Sequence, residues 1–187
     1  MMKTPVLQTE RLELRFAGPE EVPGVVDYYS RNLEHLRPWD PPHPEGFLTE
    51  EFWQKRTAQN EDEFYLGLSC RFFLFGRDVP DRVIGHASFT QIFRGPFHAC
   101  YLGYSLDERE QGKGVMYEAL TTGIEYMFGE QNMHRIMANY VPYNRRSGNL
   151  LKRLGFIPEG YARDYLMIDG EWRDHILTSL TNRNWKG

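Results

Sequence analysis

The sequence predicts an α+β fold built on one mixed, mostly antiparallel sheet. Two runs rich in aromatic and β-branched residues, 64–75 and 83–93, are separated by a longish loop containing Gly and Pro, a pattern typical of a hairpin. A second hairpin is predicted near the end of the chain, where two strand-like runs flank Asp169-Gly170. Between these hairpins, strand and helix patterns alternate, so helices should flank the sheet.

The first part of the chain predicts one strand and two helices. Residues 11–16 alternate apolar side chains with charges, as a half-buried strand does. Pro19 and the acids that follow it are typical of a helix start, and Thr49 is a plausible cap for a second helix. The segment between them, 35–44, is too rich in proline for a helix or a central strand, so we expect a connection there.

The rest of the chain completes about seven strands and four helices. Residues 99–106 have the content of a buried strand, and apolar residues then recur at helical spacing. Asn144 is a plausible N-cap, and Gly155 a plausible C′ residue, of a short helix that lies between strands. The predicted order is strand, two helices, three strands, helix, strand, helix and two strands.

Length and composition predict a single globular domain over residues 1–187. The chain is 41% hydrophobic and 26% charged, which is ordinary for a globular protein, and its net charge of −4 does not favour general nucleic-acid binding. Cys70 and Cys100 fit no disulfide framework or metal spacing and should be buried strand thiols. The opening stretch, residues 1–5, lacks an apolar core, and no long apolar run follows, so we expect a soluble, cytoplasmic protein with no membrane partner.

The stretch from Tyr104 to Gly114 carries the clearest functional signal. It joins a strand to a helix N-terminus, where backbone N–H groups and the positive end of the helix dipole point at one place. Gly112 and Gly114 lack a Cβ, so a ligand can approach the backbone, and Lys113 adds a cation. The spacing matches neither a dinucleotide-binding fingerprint nor a Walker loop. On these residues alone, a phosphate-binding loop and a structural turn are both open.

A second motif, residues 139–147 leading into an apolar helix, makes the pair resemble the GNAT superfamily of acyl-CoA-dependent N-acetyltransferases. The family's Gln/Arg-x-x-Gly-x-Gly/Ala loop and Asn-x-x-Ser helix start fall on Gln111, Gly114, Met116, Asn144 and Ser147. Met116 departs from the small residue usual at its position. Within the superfamily the chain is most similar to the RimJ-type ribosomal-protein-alanine N-acetyltransferases, over most of the residues after Val83 and more loosely before it.

The resemblance implies that acetyl-CoA is the acyl donor, and no spacing in the sequence implies a metal or a second cofactor. In the family, the strand before the loop splays from its neighbour at a bulge, and its backbone N–H groups hold pantetheine. Side chains on that strand should therefore serve mostly for packing, while Asn144 bonds pantetheine, caps its helix, or does both. The residues expected at the cofactor are Tyr104, Ser105, Leu106, Gln111, Gly112, Lys113, Gly114, Val115, Met116, Asn144 and Ser147.

Three positions where relatives carry acid–base residues lack the familiar group. Cys100 and Asn139 stand where a glutamate base is found, and Leu151 stands where a general-acid tyrosine is found. An α-amine has a pKa of about 7.7–8.0 and is partly neutral near pH 7, whereas a lysine amine, at about 10.4, is almost wholly charged. A dedicated base matters less for the α-amine, so the sequence favours an N-terminal acceptor.

Four residues are candidates for chemistry or acceptor binding. Ser147 could protonate the leaving thiolate or simply belong to its helix. Asp164 and Glu159 could receive the substrate amine or its proton, or be solvated carboxylates in a charged strand. Trp39, in the proline-rich connection, is expected to wall the acceptor side of the groove, as the corresponding segment does in the family.

The resemblance implies acetylation of the N-terminal alanine of a small-subunit ribosomal protein, by direct attack in a ternary complex. Two alternatives stay open at this stage. One is an enzyme of the same superfamily that acetylates a small amine, such as a polyamine, an amino acid or an antibiotic. The other is a ribosome-associated binding protein that has kept the groove without the activity. The sequence does not predict the oligomeric state.

Overall fold

The computed structural model describes residues 3–187, so Met1 and Met2 of the opening stretch lie outside the described part. Its elements in chain order are β1 (Val6–Gln8), β2 (Leu12–Arg15), α1 (Val22–Leu36), α2 (Glu50–Tyr65), β3 (Cys70–Gly76), β4 (Val79–Phe93), β5 (Ala99–Leu106), α3 (Val115–Gly129), β6 (Arg135–Tyr140), α4 (Arg145–Arg153), β7 (Ile157–Ile168) and β8 (Glu171–Thr181). Short 3₁₀ turns at Pro19–Glu21 and Glu108–Glu110 precede α1 and follow β5. The α+β prediction is confirmed, with one short strand, β1, beyond the expected seven.

The eight strands form one sheet in the order β1-β2-β3-β4-β5-β6-β8-β7. Every neighbouring pair is antiparallel except β5 and β6, which run parallel. Because α3 provides the crossover between these two strands, the loop that starts α3 lies at the carboxyl end of β5.

Each face of the sheet carries its own hydrophobic core. In β3, Phe72 and Leu74 pack toward α3, while Phe73 and Phe75 pack toward α1 and α2, as the two-residue period of a strand requires. On the α3 face, the buried helix residues are Met116, Ala119, Leu120, Ile124 and Met127. Both cores are closed by helices, which holds the central strands in fixed positions under the groove described below.

Two boundaries differ from the sequence prediction. Residues 64 and 65 belong to the last turn of α2, because Phe64 packs its ring 5.2 Å from that of Phe16, and the helix stops before Gly67, whose φ is +69°. The loop of the first hairpin is also shorter than expected, since β3 ends at Gly76 and β4 begins at Val79. The aromatic run had suggested a strand, but Phe64 packs against Phe16 from the last turn of the helix.

The other local signals are confirmed. Asp169 and Gly170 both have positive φ angles and form the two-residue turn between β7 and β8. The side chain of Thr49 caps α2, and that of Asn144 caps α4. Gly155, with a φ of +89°, follows the end of α4. None of the helices within residues 3–187 has both the length and the apolar character that a membrane crossing requires.

Candidate active site

A large open groove of about 1580 Å³ runs across the sheet where β5 and β6 separate. The two strands pair only from Ala99 to Tyr101, opposite Arg135 to Met137, and diverge beyond this point. The splay expected from the family resemblance is therefore present. The nearest irregularity in the register lies in β4, between Thr90 and Phe93, rather than in β5. Parallel strands that part in this way leave main-chain groups of β5 facing the groove.

The loop at the start of α3 has the geometry of an anion cradle. Gly112 and Gly114 have φ angles of +76° and +78°, which glycine adopts without strain, and no atom outside their neighbours lies within 3.5 Å of where a Cβ would stand on either. Within residues 3–187, the backbone N–H groups from Gly112 to Met116 donate no backbone hydrogen bond of standard length and angle. Free amides at a helix N-terminus suit a phosphate or pyrophosphate. Val115 and Met116 bury their side chains while lining the groove, so Met116 fits this turn.

The turn between β1 and β2 supports this loop, which the sequence did not suggest. The guanidinium of Arg11 donates to the carbonyl of Lys113 over 2.9 Å and pairs with Glu118 of α3 at 2.6 Å. Thr9 donates to the same carboxylate at 2.5 Å. These contacts fix the first turn of α3 in position, and they join residues more than one hundred positions apart, so no local pattern could reveal them.

Two polar side chains of the loop have different surroundings. Gln111 lines the groove, donates to Nε2 of His35 over 2.8 Å and accepts a hydrogen bond from Arg146. Lys113 instead pairs with Glu110 at 3.0 Å and is not among the described residues that line the groove. The ion pair with Glu110 reduces the positive charge that Lys113 offers to the loop, and its place in the cofactor site stays a prediction. Besides Arg11, Arg146 places a cation beside the loop, and Arg146 also lines the groove.

Ser147 and Tyr104 share a hydrogen bond of 2.7 Å between their hydroxyl groups in the groove. Burial raises the pKa of Tyr104 to about 12, so its hydroxyl keeps its proton at neutral pH. Tyr104 thus does more than pack, contrary to the expectation for the side chains of this strand. Asn144 accepts from the backbone N–H of Ser147 at 3.1 Å and so orients the serine while capping α4.

The two residues that follow Tyr104 in β5 contact different parts of the protein. The hydroxyl of Ser105 is buried and bonds that of Tyr28 in α1 at 2.7 Å. Leu106 is partly buried against the main core and lines the groove. After it, Asp107 is almost fully buried, caps the 3₁₀ turn, and accepts from Arg31 and Arg82 at 2.8 and 2.9 Å.

The three positions that depart from the family pattern offer no acid–base group. Cys100 is buried, and burial raises the pKa of its thiol to about 12. Cys70 is buried in the same way, as predicted. Asn139 donates to the hydroxyl of Tyr165 at 3.0 Å, and Leu151 is packed in the core.

The far end of the groove, beyond the separated strands, has polar and aromatic walls. Trp39 lines it, and its ring lies 5.8 Å from that of Tyr143, while its role as a wall for the acceptor stays a prediction. A row of polar residues that the sequence did not single out covers the floor: Arg71, His86, Ser88, Thr90 and Tyr101. Burial, with a smaller effect of Arg71, lowers the pKa of His86 to about 4, so its ring is neutral at physiological pH. Asp40 faces the same space.

Two predicted acceptor residues lie elsewhere. Asp164 is exposed at an irregularity of β7, and its backbone N–H donates to Asp174 at 2.9 Å. Glu159 accepts from Ser179 at 2.8 Å and pairs with Arg135. Neither is among the described residues that line the groove, so the structure does not bring them to Ser147. Both stand where the register of β7 shifts, and a shift changes the face that a side chain occupies.

Comparison with known proteins gives a consistent result. Residues 11–157 match the family described as Acetyltransferase (GNAT) domain. The chain is 49% identical to the ribosomal protein uS5-alanine N-acetyltransferase of Escherichia coli strain K12, over 96% of this chain and 92% of that protein. The crystal structure of ribosomal-protein-S5-alanine acetyltransferase from Vibrio fischeri has a TM-score of 0.93 at 40% identity, covering 98% of this chain and 100% of that one. Mycobacterium smegmatis RimJ, solved in complex with CoA-disulfide, shares the fold, with a TM-score of 0.86 at 23% identity over 98% of this chain and 89% of its own.

Proposed function

Because the chain belongs to the GNAT acetyltransferase family, we propose that it transfers the acetyl group of acetyl-CoA to the N-terminal alanine of ribosomal protein uS5. The observation that carries this proposal is the 49% identity to an enzyme named for that reaction, extending over 96% of the chain. The acceptor is a ribosomal protein, so we place the reaction in the cytoplasm, with one domain of residues 1–187 providing both halves of the site.

The groove fits an acyl-CoA in three respects. The free amides from Gly112 to Met116 suit a pyrophosphate, and the separated edge of β5 offers main-chain groups to an extended pantetheine arm. Arg146, at the rim beside Gln111, adds positive charge for the phosphates. When bound, acetyl-CoA supplies the thioester whose acetyl group is transferred.

The Tyr104–Ser147 pair supports the departure of the thiolate. A thiol has an ordinary pKa of about 8.5, so a developing thiolate is stabilised by a hydroxyl that donates to it. Tyr104 keeps its proton, and a hydroxyl that accepts from Tyr104 becomes a better donor in turn. We assign this pair the role that a tyrosine on the later helix has in relatives, where this chain has Leu151.

The acceptor nitrogen must be neutral before it attacks. With Cys100 protonated and Asn139 unable to titrate, the familiar positions provide no base. An α-amine needs less help than a lysine amine because its pKa is lower by about 2.5 units. The structure of the donor half is therefore consistent with an N-terminal acceptor, and direct attack requires no acyl-enzyme.

A transfer assay with a panel of amines tests the proposal. Free thiol release would be followed with a peptide that copies the N-terminus of uS5, the same peptide with its α-amine blocked, a Ser-initiated version, and a polyamine. We expect fast transfer to the free Ala peptide alone, with mass spectrometry placing the acetyl group on the α-amine. Faster turnover of the polyamine would contradict the acceptor, and tight CoA binding without transfer to any amine would favour a binding protein.

A further inference from the structure

Asp40 is held at the acceptor end of the groove by backbone contacts on two sides. Its N–H donates to the carbonyl of Leu36 at the end of α1 at 3.1 Å. Its carbonyl accepts from the N–H of Asp169, in the β7–β8 turn, at 3.2 Å. The residue lines the groove next to Trp39, and its side chain is only 23% exposed. A carboxylate in this position is partly removed from water and fixed in place.

The carboxylate of Asp40 lacks a cationic partner within residues 3–187. Nε2 of His43 lies 4.0 Å from a carboxylate oxygen of Asp40, and burial lowers the pKa of His43, so that ring is neutral near pH 7. Of the other acids that line the groove, Glu34 pairs with Arg37 at 3.4 Å and Glu110 with Lys113 at 3.0 Å, whereas Glu108 has no ion pair within residues 3–187. An unpaired carboxylate facing a half-buried space is costly unless a ligand brings a cation.

The charged and titratable groups around Asp40 either have other partners or are neutral. On the floor of the same space, Arg71 pairs with Glu63 at 3.4 Å, and the ring of His86 is neutral. On α1, burial keeps the hydroxyls of Tyr28 and Tyr29 protonated, with raised pKa values. Arg37, on the same connection, is committed to Glu34 at 3.4 Å and to Asp169 at 3.8 Å. Burial raises the pKa of Asp40 to about 6, so most of its population is ionised at pH 7 but the group is also a competent proton acceptor.

We propose that Asp40 binds the α-ammonium group of the acceptor and takes up its proton. An ammonium in contact with this carboxylate would satisfy the missing charge, and the aromatic rings of Trp39 and Tyr29 wall the same space. One N–H bond of the ammonium breaks as an O–H bond forms on Asp40, leaving a neutral amine whose lone pair attacks the thioester carbonyl. As the new C–N bond forms and the C–S bond breaks, the nitrogen loses a second proton to solvent, and the leaving thiolate gains one through the Tyr104–Ser147 pair, so that CoA departs as the thiol. The proton leaves Asp40 for solvent after the acetylated product departs. This inference rests on the proposed function, since it requires an amine acceptor.

The test compares Asp40→Asn with Glu45→Gln, an exposed acid of the same connection that does not line the groove. We expect D40N to lower kcat/KM for the Ala peptide about a hundredfold near pH 7, without changing KM for acetyl-CoA, and E45Q to match wild type. The loss should shrink to a few fold near pH 9, where the free amine is already neutral. Near pH 7, the loss in kcat/KM should also be smaller with a peptide whose first residue is fluorinated. Fluorine lowers the pKa of the α-amine, so that amine is already largely neutral.

Calorimetry gives a readout that does not depend on turnover. With CoA bound, the Ala peptide should bind D40N about tenfold more weakly than wild type near pH 7. A loss of activity that is equal at all pH values and for both peptides would show a merely structural role and overturn the inference. If D40N were as active as an active wild type, the inference about Asp40 would be wrong, and the proposed function would stand. A wild type that acetylates no α-amine would overturn the proposed function as well.

Discussion

Tyr104 and Ser147 should behave as one unit when their hydroxyls are removed. Tyr104→Phe and Ser147→Ala each delete one end of a 2.7 Å hydrogen bond in the groove while keeping most of the side chain's volume. If the pair donates to the leaving thiolate, each substitution should lower kcat about ten- to a thousandfold, because the donor acts chiefly in the transition state. That range corresponds to about 1.4–4 kcal/mol of activation free energy.

The double variant shows whether Tyr104 and Ser147 act on kcat together or independently. Once either hydroxyl is missing, the route through the pair is already broken, so the double variant should lose no more than the worse single one. Independent contributions would instead multiply, up to about a millionfold. KM for acetyl-CoA should change little in all three variants.

The assay is steady-state thiol release with a saturating acceptor peptide, alongside thermal unfolding. Loss of one buried hydrogen bond should cost about 1 kcal/mol of stability, a shift of a few degrees. Tyr126→Phe is the matched control, since its hydroxyl bonds Gln131 at 2.8 Å outside the groove and burial also raises its pKa to about 12. It should share the stability loss and keep full activity. Multiplicative losses, or a Ser147→Ala enzyme with wild-type kcat, would refute the reasoning.

Three further substitutions test the loop, the thiols and the buried acid. Gly114→Asp should weaken CoA binding in calorimetry by about several kcal/mol, since a carboxylate would face the pyrophosphate, whereas Gly129→Asp at the end of α3 should bind normally. The Cys70→Ala, Cys100→Ala double variant should keep transfer apart from losses traceable to core packing, and trapping of a competent acetyl-thiol enzyme would contradict direct attack. Burial tends to raise the pKa of Asp107, but hydrogen bonds and two arginines outweigh burial and lower this pKa in the folded protein. The stability that the ionised carboxylate provides is therefore present above its ordinary pKa, and it is lost as pH falls from that value through the lowered pKa of the folded state. Asp107→Asn should therefore unfold at a lower temperature at neutral pH, with a difference that narrows in acid.

Much of the fold and the donor half of the site could be predicted because their signals are local. Gly112 and Gly114, Asn144 and Ser147 are recognisable from spacing within a few residues, and the structure gives each a conformation that its residue type favours. The hairpin at Asp169-Gly170 is local in the same sense. In these places propensity, turn chemistry and tertiary packing agree.

The side-chain positions that local patterns did not indicate depend mostly on strand register. Asp164 and Glu159 lie in β7 at points where its pairing with β8 shifts, and one extra residue moves a side chain to the other face of a sheet. Asp164 has a φ of +46°, a conformation that an alternating strand pattern does not indicate. The partnership of Tyr104 with Ser147 joins residues 43 positions apart, so it depends on how β5 and α4 meet across the groove. Asp40 lies in a proline-rich connection without any period, so its role could be inferred only after its neighbours were known.

Helix α1 links the two halves of the proposed site. Tyr28 bonds Ser105 on the cofactor strand, Arg31 pairs with Asp107 at the start of the loop, and His35 accepts from Gln111 within it. One helical turn further on, the chain reaches Asp40, whose N–H is bonded to the last residue of the same helix. The carboxylate proposed to take the acceptor's proton is therefore positioned by the element that also supports the cofactor loop. Since direct attack needs the amine and the thioester within about 3.5 Å of each other, a rigid helix common to both is what such a reaction requires.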